Sequence, residues 1–117
     1  TAVQDLGAWW KNDTGLPLPL GINTIRKDMP EDVKSAMSQV MHHSIAYSLE
    51  HRSEALEYAM SFGRGVDTDT ADKFVGMYVN DWTLDMGEAG RRSIELFLTR
   101  AYEQKLIPSL PEFEFVS

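Results

Sequence analysis

The stretch "TGLPLPLG", Thr14 to Gly21, sets leucine against proline at alternate positions and closes on glycine. Pro17 and Pro19 have fixed φ angles and no backbone N–H, so they exclude a helix and a central strand bonded along that edge. We therefore predict an extended connector. Such a segment can be a linker, a partner motif or a strand crossing between two lobes, and the flanking sequence has to decide between these roles.

The segment "LGINTIRK", Leu20 to Lys27, follows directly and is rich in the β-branched residues that are typical of strands. It is the one convincing strand, and a single strand leaves unpaired backbone groups along both of its edges. Either the chain dimerises through this strand, or its neighbouring strands lie in sequence outside these 117 residues. We therefore predict an α/β fold, of which this chain is a mainly helical part with one strand.

Four helices are predicted from apolar periodicity and end signals. Asp28 and Glu31 have the spacing of a capping box, which predicts a helix running to about Leu49. A second helix covers Ser53 to Phe62 and stops at the glycines of "FGRG". The third begins at an aspartate of "VDTDT", and the fourth runs from "TLDMGE" to about "KLIPSLP". The tail "FEFV" is interpreted as an edge strand or a loose end.

Composition excludes several classes of protein. The chain has 117 residues with 43% hydrophobic content, enough for one domain or part of a larger one. Eighteen acidic and 11 basic residues give a net charge of −7, which disfavours nucleic acid as a partner. No apolar run has the length of a membrane span, and the first residues do not resemble a secretory signal. We expect a cytoplasmic protein with no membrane or nucleic-acid partner.

Histidine and glycine motifs offer weak candidate sites. The absence of cysteine excludes thiolate metal sites. His42, His43 and His51 have poor ligand spacing on one helix, so we predict surface or interface histidines and no metal site. Gly63 to Gly65, "GRG", would need a preceding strand to form a phosphate loop. A helix precedes it instead, which favours a helix C-cap.

Two further groups admit both a ligand-binding and a structural interpretation. Arg91 and Arg92 lie early in the fourth predicted helix, where anion binding competes with salt bridges to nearby carboxylates, and we favour the salt bridges. Trp9 and Trp10 form either a platform on which a ligand stacks or part of the core, and we favour the core. No catalytic dyad, triad or nucleophile elbow is present in the sequence.

Three blocks carry a specific resemblance: "DLGAWWKNDTGLPLPLGINTIRKD" (Asp5–Asp28), "SIAYSLEHRSEALEYAMSFGRG" (Ser44–Gly65) and "FVGMYVNDWTLDMGEAGRRS" (Phe74–Ser93). In this order they resemble the 1,4-dihydroxy-6-naphthoate synthases of the futalosine route to menaquinone. The related chorismate dehydratases share the architecture, but "GLPLPLG" and "MYVNDWTLD" favour the synthases.

The resemblance implies a two-lobed fold similar to periplasmic binding proteins. It also implies a lyase that converts cyclic dehypoxanthinyl futalosine to 1,4-dihydroxy-6-naphthoate without a metal or organic cofactor. Family members are longer, and this chain corresponds to their C-terminal part, with residues 1–21 as the end of the second lobe and the connector. Residues 22–117 would then belong to the first lobe. The family's histidine base and small hydroxyl residues lie upstream of "DLGAWW", so no residue here inherits a catalytic role.

The resemblance places the connector at the cleft between the lobes, with a small-molecule substrate against Leu18, Pro19, Leu20 and Gly21. The leucines would supply an apolar wall, and Gly21 would let the ligand approach the backbone. The alternative is that the connector is only a hinge. We expect the isolated chain to be inactive and to need the N-terminal portion of the same protein, and a homo-oligomer is one way in which it could cover its exposed strand. A competing hypothesis is a non-catalytic ligand-binding or sensor module of the same fold.

Overall fold

The structure, a computed structural model, describes residues 3–63, 65 and 67–116. Within them the regular structure consists of six α-helices joined by turns and irregular segments. The helices are α1 (Leu6–Thr14), α2 (Glu31–Glu50), α3 (Arg52–Met60), α4 (Thr68–Tyr78), α5 (Asp81–Leu84) and α6 (Gly87–Glu103). They fall into two compact units, one made of the described residues up to Thr24 with Met86–Phe115, the other of those in Ile25–Asp85 with Val116.

The predicted α/β class is wrong for the part of the chain that the structure describes, because no strand occurs there. Leu20 to Lys27, the predicted strand, is irregular backbone, and the tail "FEFV" is irregular as well. β-branched residues favour an extended backbone, but a strand also needs a neighbour to share its ladder of hydrogen bonds. No described segment supplies that ladder. The structure likewise does not show the two-lobed α/β architecture that the resemblance implied.

The predicted helix is confirmed as α2, but it begins at Glu31, later than a cap at Asp28 would place it, so the predicted cap is wrong. Pro30 occupies the N-cap position and provides no side-chain hydrogen bond. Asp28 instead accepts hydrogen bonds from the Arg26 guanidinium, at 2.9 Å from Nε and 2.6 Å from Nη2. The hydrogen bonds from Arg26 lower the pKa of the Asp28 carboxyl below its usual range.

The helices α3 and α4 lie side by side and are joined through an arginine. Arg52 donates from Nε to the Asp72 carboxylate at 2.8 Å and from Nη2 to the Asp72 carbonyl at 3.0 Å. A Cβ on Gly76 would lie 3.0 Å from Nη2, so the absence of a side chain there leaves room for the guanidinium. At the end of α4, Asn80 starts the short helix α5 with a capping box that includes Thr83. The sequence analysis missed α5.

The apolar stripes that predicted these helices are largely exposed. Val33, Met37 and Val40 of α2 face solvent, and so do Phe74 and Tyr78 of α4. Among the described residues of this unit, one hydrophobic residue is buried, Ala71. Apolar periodicity therefore predicted the helices correctly, although the apolar faces that carry this periodicity stay largely exposed in the described residues.

In the other unit, α6 confirms the fourth predicted helix, and α1 is an element that the sequence analysis did not define. Asp5 caps α1 by accepting a hydrogen bond from the Ala8 backbone N–H at 2.9 Å. The buried hydrophobic residues of this unit, within the described chain, are Trp10 from α1 and Ile94 from α6. The core of this unit therefore lies where α1 meets α6.

The cap of α4 generates a prediction about pH. Asp67 accepts hydrogen bonds from the Thr70 backbone N–H at 2.9 Å and from the Thr70 hydroxyl at 2.7 Å. These bonds lower the pKa of Asp67 in the folded chain. The carboxylate therefore stabilises α4 above the unfolded-state pKa, and this contribution disappears as the pH falls through the lower, folded-state value.

We expect Asp67→Asn, which keeps an acceptor oxygen but loses the charge, to be less stable than the native chain at neutral pH. The difference should shrink as the pH falls below the usual pKa of an aspartate and through the lower folded-state pKa of Asp67, where the native carboxyl also becomes protonated. Thermal unfolding followed by circular dichroism across this pH range measures it. Asp69→Asn is the matched control, since Asp69 lies in the first turn of the same helix. A pH-independent difference would contradict the assignment.

Candidate functional site at the leucine-proline connector

The connector, residues 16–21, leaves α1 through a fixed reversal. Gly15 has a φ of +74°, which is a conformation that favours glycine, and its N–H donates to the Lys11 carbonyl at 2.8 Å. The Thr14 hydroxyl donates to the Trp10 carbonyl at 2.7 Å and accepts from the Leu16 N–H at 3.1 Å. The last turn of the helix and the first residue of the connector are thus bonded to the same threonine.

A buried serine joins the connector to both helices of its unit. Trp10, 2% exposed, donates its indole N–H to the Ser93 hydroxyl at 2.9 Å. The same hydroxyl donates to the Pro17 carbonyl at 2.6 Å, and Ser93 is only 1% exposed. We call this pair of hydrogen bonds the serine junction. All polar atoms of the serine junction have hydrogen-bond partners, so their burial leaves no polar group unsatisfied.

The face of α6 that carries Ser93 also encloses the Trp10 ring. Phe97, one turn further along, meets that ring edge-on with 5.6 Å between the ring centroids. Arg100 lies over the ring at 5.2 Å and donates to the Asp13 carboxylate at 2.6 Å. Aromatic and cation–π contacts therefore surround the Trp10 indole. Together with the Arg100–Asp13 ion pair they join α1 to α6.

Exposure rises along the connector toward the predicted site residues. Leu18 and Pro19 are half-buried, whereas Leu20 is 64% exposed and Gly21 is exposed. A Cβ on Gly21 would meet nothing within 4 Å. Leu18 and Leu20 differ in exposure. The connector therefore does not have a buried side formed by its prolines and an exposed side formed by its leucines. All four residues are irregular backbone, and their contact with a substrate stays a prediction.

The two tryptophans differ in burial. The core interpretation is confirmed for Trp10 and wrong for Trp9, which is 48% exposed with its ring centroid 6.2 Å from that of Trp10. Leu6, the third member of this apolar group, is exposed as well. Only the Trp10 ring therefore anchors α1, and hydrophobicity alone does not distinguish Trp10 from Trp9.

The histidines lie in the other unit. His42 and His43 are exposed on α2, while the His51 ring stacks on Tyr47 at 4.0 Å with Nδ1 3.0 Å from the Tyr47 carbonyl. Within the ranges that the structure describes, no three histidine, aspartate or glutamate side chains are grouped so as to hold a metal ion. The surface placement predicted for these histidines agrees with the structure.

The remaining motifs have structural roles. In the part of the chain that the structure describes, neither Arg91 nor Arg92 pairs with a glutamate of α6, so the salt-bridge interpretation was wrong. Arg91 instead lies over the Phe115 ring at 5.5 Å. Gly63 donates its N–H to the Met60 carbonyl at 2.9 Å just after α3, and Gly65 has a φ of +81°. A helix thus precedes the "GRG" motif, whose arginine lies outside the described residues.

A second concave surface lies between α3 and α4. It is an open cavity of about 410 Å³ with an almost entirely apolar lining. The residues that line it are Leu56, Ala59, Met60, Phe62, Gly63, Thr70, Ala71, Phe74 and Val75. The cavity lies in the unit of Ile25–Asp85, whereas the resemblance drawn from the sequence places the substrate at the connector, so the connector is kept as the candidate site.

The sequence analysis missed Ser93, which the structure makes the support of the connector. A small polar residue next to Ile94 and one turn before Phe97 is a signal of a buried hydrogen bond inside an apolar stripe. The identity of its partners cannot be read from that pattern. None of the described helices combines the length and the apolar character required to cross a membrane.

The enclosure of Trp10 predicts unequal effects of the same substitution at adjacent positions. Trp10→Ala removes a buried ring and leaves Ser93 without its donor, and we expect a loss of about 3–5 kcal/mol in the free energy of unfolding. Trp9→Ala, the matched control on the same helix, should cost less than about 1 kcal/mol because Trp9 is half-exposed. Urea unfolding followed by circular dichroism measures both. Equal losses at the two positions would contradict the packing described here.

Comparisons with known proteins agree with the resemblance drawn from the sequence. The profile of a family described as menaquinone biosynthesis matches residues 1–103. A Thermus thermophilus protein named 1,4-dihydroxy-6-naphthoate synthase is 38% identical over 114 residues, which cover 97% of this chain and 42% of that protein. A Streptomyces coelicolor protein of the same name is 32% identical over 108 residues, covering 92% of this chain and 38% of that one.

A solved structure supports the same assignment. The crystal structure of an Archaeoglobus fulgidus protein is similar with a TM-score of 0.84 and 40% sequence identity, covering 92% of this chain and 40% of that one. This chain spans about two fifths of the length of the relatives that it matches. The resemblance to the 1,4-dihydroxy-6-naphthoate synthases is confirmed, and the chain belongs to the menaquinone biosynthesis family.

Proposed function

We propose that this chain forms part of a 1,4-dihydroxy-6-naphthoate synthase, a lyase of the futalosine route that converts cyclic dehypoxanthinyl futalosine to 1,4-dihydroxy-6-naphthoate. The observation that carries the proposal is the 38% identity over 97% of the chain to a protein bearing that enzyme's name. Because the relatives are more than twice as long, the activity is assigned to the full-length protein and not to these residues alone.

In this proposal the connector is an apolar wall of the substrate site. The naphthalene ring of the product is flat and apolar on both faces, so aliphatic side chains pack well against those faces, while its carboxylate and hydroxyl groups need polar partners elsewhere in the site. Leu20 supplies an exposed aliphatic surface, and Leu18 and Pro19 support it from half-buried positions. The open space beside Gly21 is compatible with close approach of a ligand to the backbone.

We assign the proton-transferring base to another part of the full-length protein. A general base must lie within hydrogen-bond reach of the proton that it removes. The resemblance places the family's histidine base upstream of Asp5, and His42, His43 and His51 do not match it. This chain therefore contributes binding surface and support, and no catalytic residue.

The exposed apolar faces fit the same proposal. Val40 and Met41 of α2 and Phe74 and Met77 of α4 expose large hydrophobic side chains. Contiguous exposed apolar surface marks an interaction site. We propose that these faces pack against the part of the full-length protein that corresponds to the remainder of the relatives' length, and that the isolated chain self-associates when that part is missing.

The connector wall predicts a loss of substrate binding in the full-length enzyme on Leu20→Asp. A carboxylate on an apolar wall loses hydration without gaining a partner, so KM should rise at least about tenfold. Steady-state kinetics with cyclic dehypoxanthinyl futalosine measures it. Leu106→Asp is the matched control, because Leu106 is 76% exposed in the same unit and lies outside the connector. Equal kinetics for the two variants would reduce the connector to a hinge.

The assignment of the base predicts that the purified 117-residue chain does not turn over cyclic dehypoxanthinyl futalosine, while the full-length protein does. Chromatographic detection of 1,4-dihydroxy-6-naphthoate measures the product. Turnover by the chain alone would overturn the assignment of the base. A full-length protein that binds the naphthoate but forms none would support the non-catalytic ligand-binding alternative instead.

A further inference from the structure

We infer that Ser93 is a positioning residue of the proposed synthase: its hydroxyl fixes the connector at the Pro17 carbonyl and thereby orients Leu18 to Gly21 toward the ligand. The inference rests on the proposed function and deepens it. It names a residue outside the connector that governs how the connector meets a substrate.

The first observation is the pattern of hydrogen bonds along the connector. In the part of the chain that the structure describes, residues 17–24 make one hydrogen bond, which is the 2.6 Å bond from the Ser93 hydroxyl to the Pro17 carbonyl. No helix or sheet ladder holds this segment. Its backbone orientation therefore depends on one donor.

The second observation is that this donor has a fixed direction. The Trp10 indole N–H can only donate, and it occupies the acceptor side of the Ser93 hydroxyl at 2.9 Å. The Pro17 carbonyl can only accept, so the hydroxyl proton points toward the connector. Ser93 is almost completely buried, and water does not compete for this proton.

The third observation is the stiffness of the residues that follow. Orienting the Pro17 carbonyl sets the ψ angle of Pro17, and the pyrrolidine ring of Pro19 fixes the φ angle of Pro19. Leu18 precedes a proline and is restricted to extended conformations. Few free torsions remain between the Pro17 carbonyl and Leu20, so the bond from Ser93 limits the directions that the connector can take at Leu20.

The test compares full-length variants. Ser93→Ala removes the donor to Pro17. Ile94→Val is the matched control, because it also trims a buried residue of α6 by a small amount and leaves both bonds of Ser93 in place. Ser93→Thr keeps a hydroxyl and serves as the conservative variant should the alanine variant fold poorly. Backbone ¹⁵N order parameters of Leu18, Leu20 and Gly21 report connector order without any ligand.

We expect the order parameters of the connector to fall from about 0.85 to below about 0.6 in Ser93→Ala and to stay high in Ile94→Val. The Kd for 1,4-dihydroxy-6-naphthoate and the KM should rise at least about fivefold in Ser93→Ala. Its kcat should change by less than about twofold, since the connector binds and does not transfer protons. Ser93→Thr should restore both the order and the affinity.

Equal changes in Ser93→Ala and Ile94→Val would show a merely structural role and overturn the inference. Unchanged order parameters in Ser93→Ala would also overturn it, whether or not the protein binds the naphthoate. Lost order with unchanged naphthoate affinity would remove the link to the ligand. A native protein that neither binds nor forms the naphthoate refutes the proposed function separately, and the order parameters then still decide whether Ser93 fixes the connector.

Discussion

The unit formed by α1, the connector and α6 depends on one hydroxyl group. Ser93 accepts from Trp10 and donates to Pro17, so a helix and an irregular segment are both joined to α6 through a single oxygen atom. The ring contacts of Phe97 and Arg100 exclude water from this point. Within the described chain every buried side-chain nitrogen or oxygen has a hydrogen-bond partner. A polar junction with complete pairing fixes one arrangement, which an apolar contact of the same size would not.

The unit of α2 to α5 is specified differently, by helix ends and local contacts. Asp67 and Asn80 cap α4 and α5, and Arg52 joins α3 to Asp72 of α4. The Arg52–Asp72 pair is about 40% exposed, so its contribution is small, on the order of 0–1 kcal/mol. With so little apolar surface buried in the described residues of this unit, caps and local contacts give these helices their boundaries.

The sequence was sufficient for what depends on neighbouring residues. Apolar periodicity predicted α2, α3, α4 and α6, and Asp67, one of the two aspartates of "VDTDT", caps α4. The two prolines excluded a helix and a central strand from the connector, which is irregular backbone in the structure. The strand over Leu20 to Lys27 was predicted wrongly, because its ladder would require a partner segment that β-propensity does not reveal. Ser93 was missed for a related reason: its partner Pro17 lies 76 residues away, and no local pattern connects them.

The two units also differ in the chain entropy that their contacts cost during folding. Arg52 and Asp72 are 20 residues apart, whereas the serine junction joins residues 76 and 83 apart. Closing the longer loop costs about 1 kcal/mol more, since the cost grows with the logarithm of loop length. Forming α2 to α5 first would shorten the effective loop that separates Pro17 from Ser93. Chain topology therefore favours an order in which local helix pairs form before the junction that supports the connector.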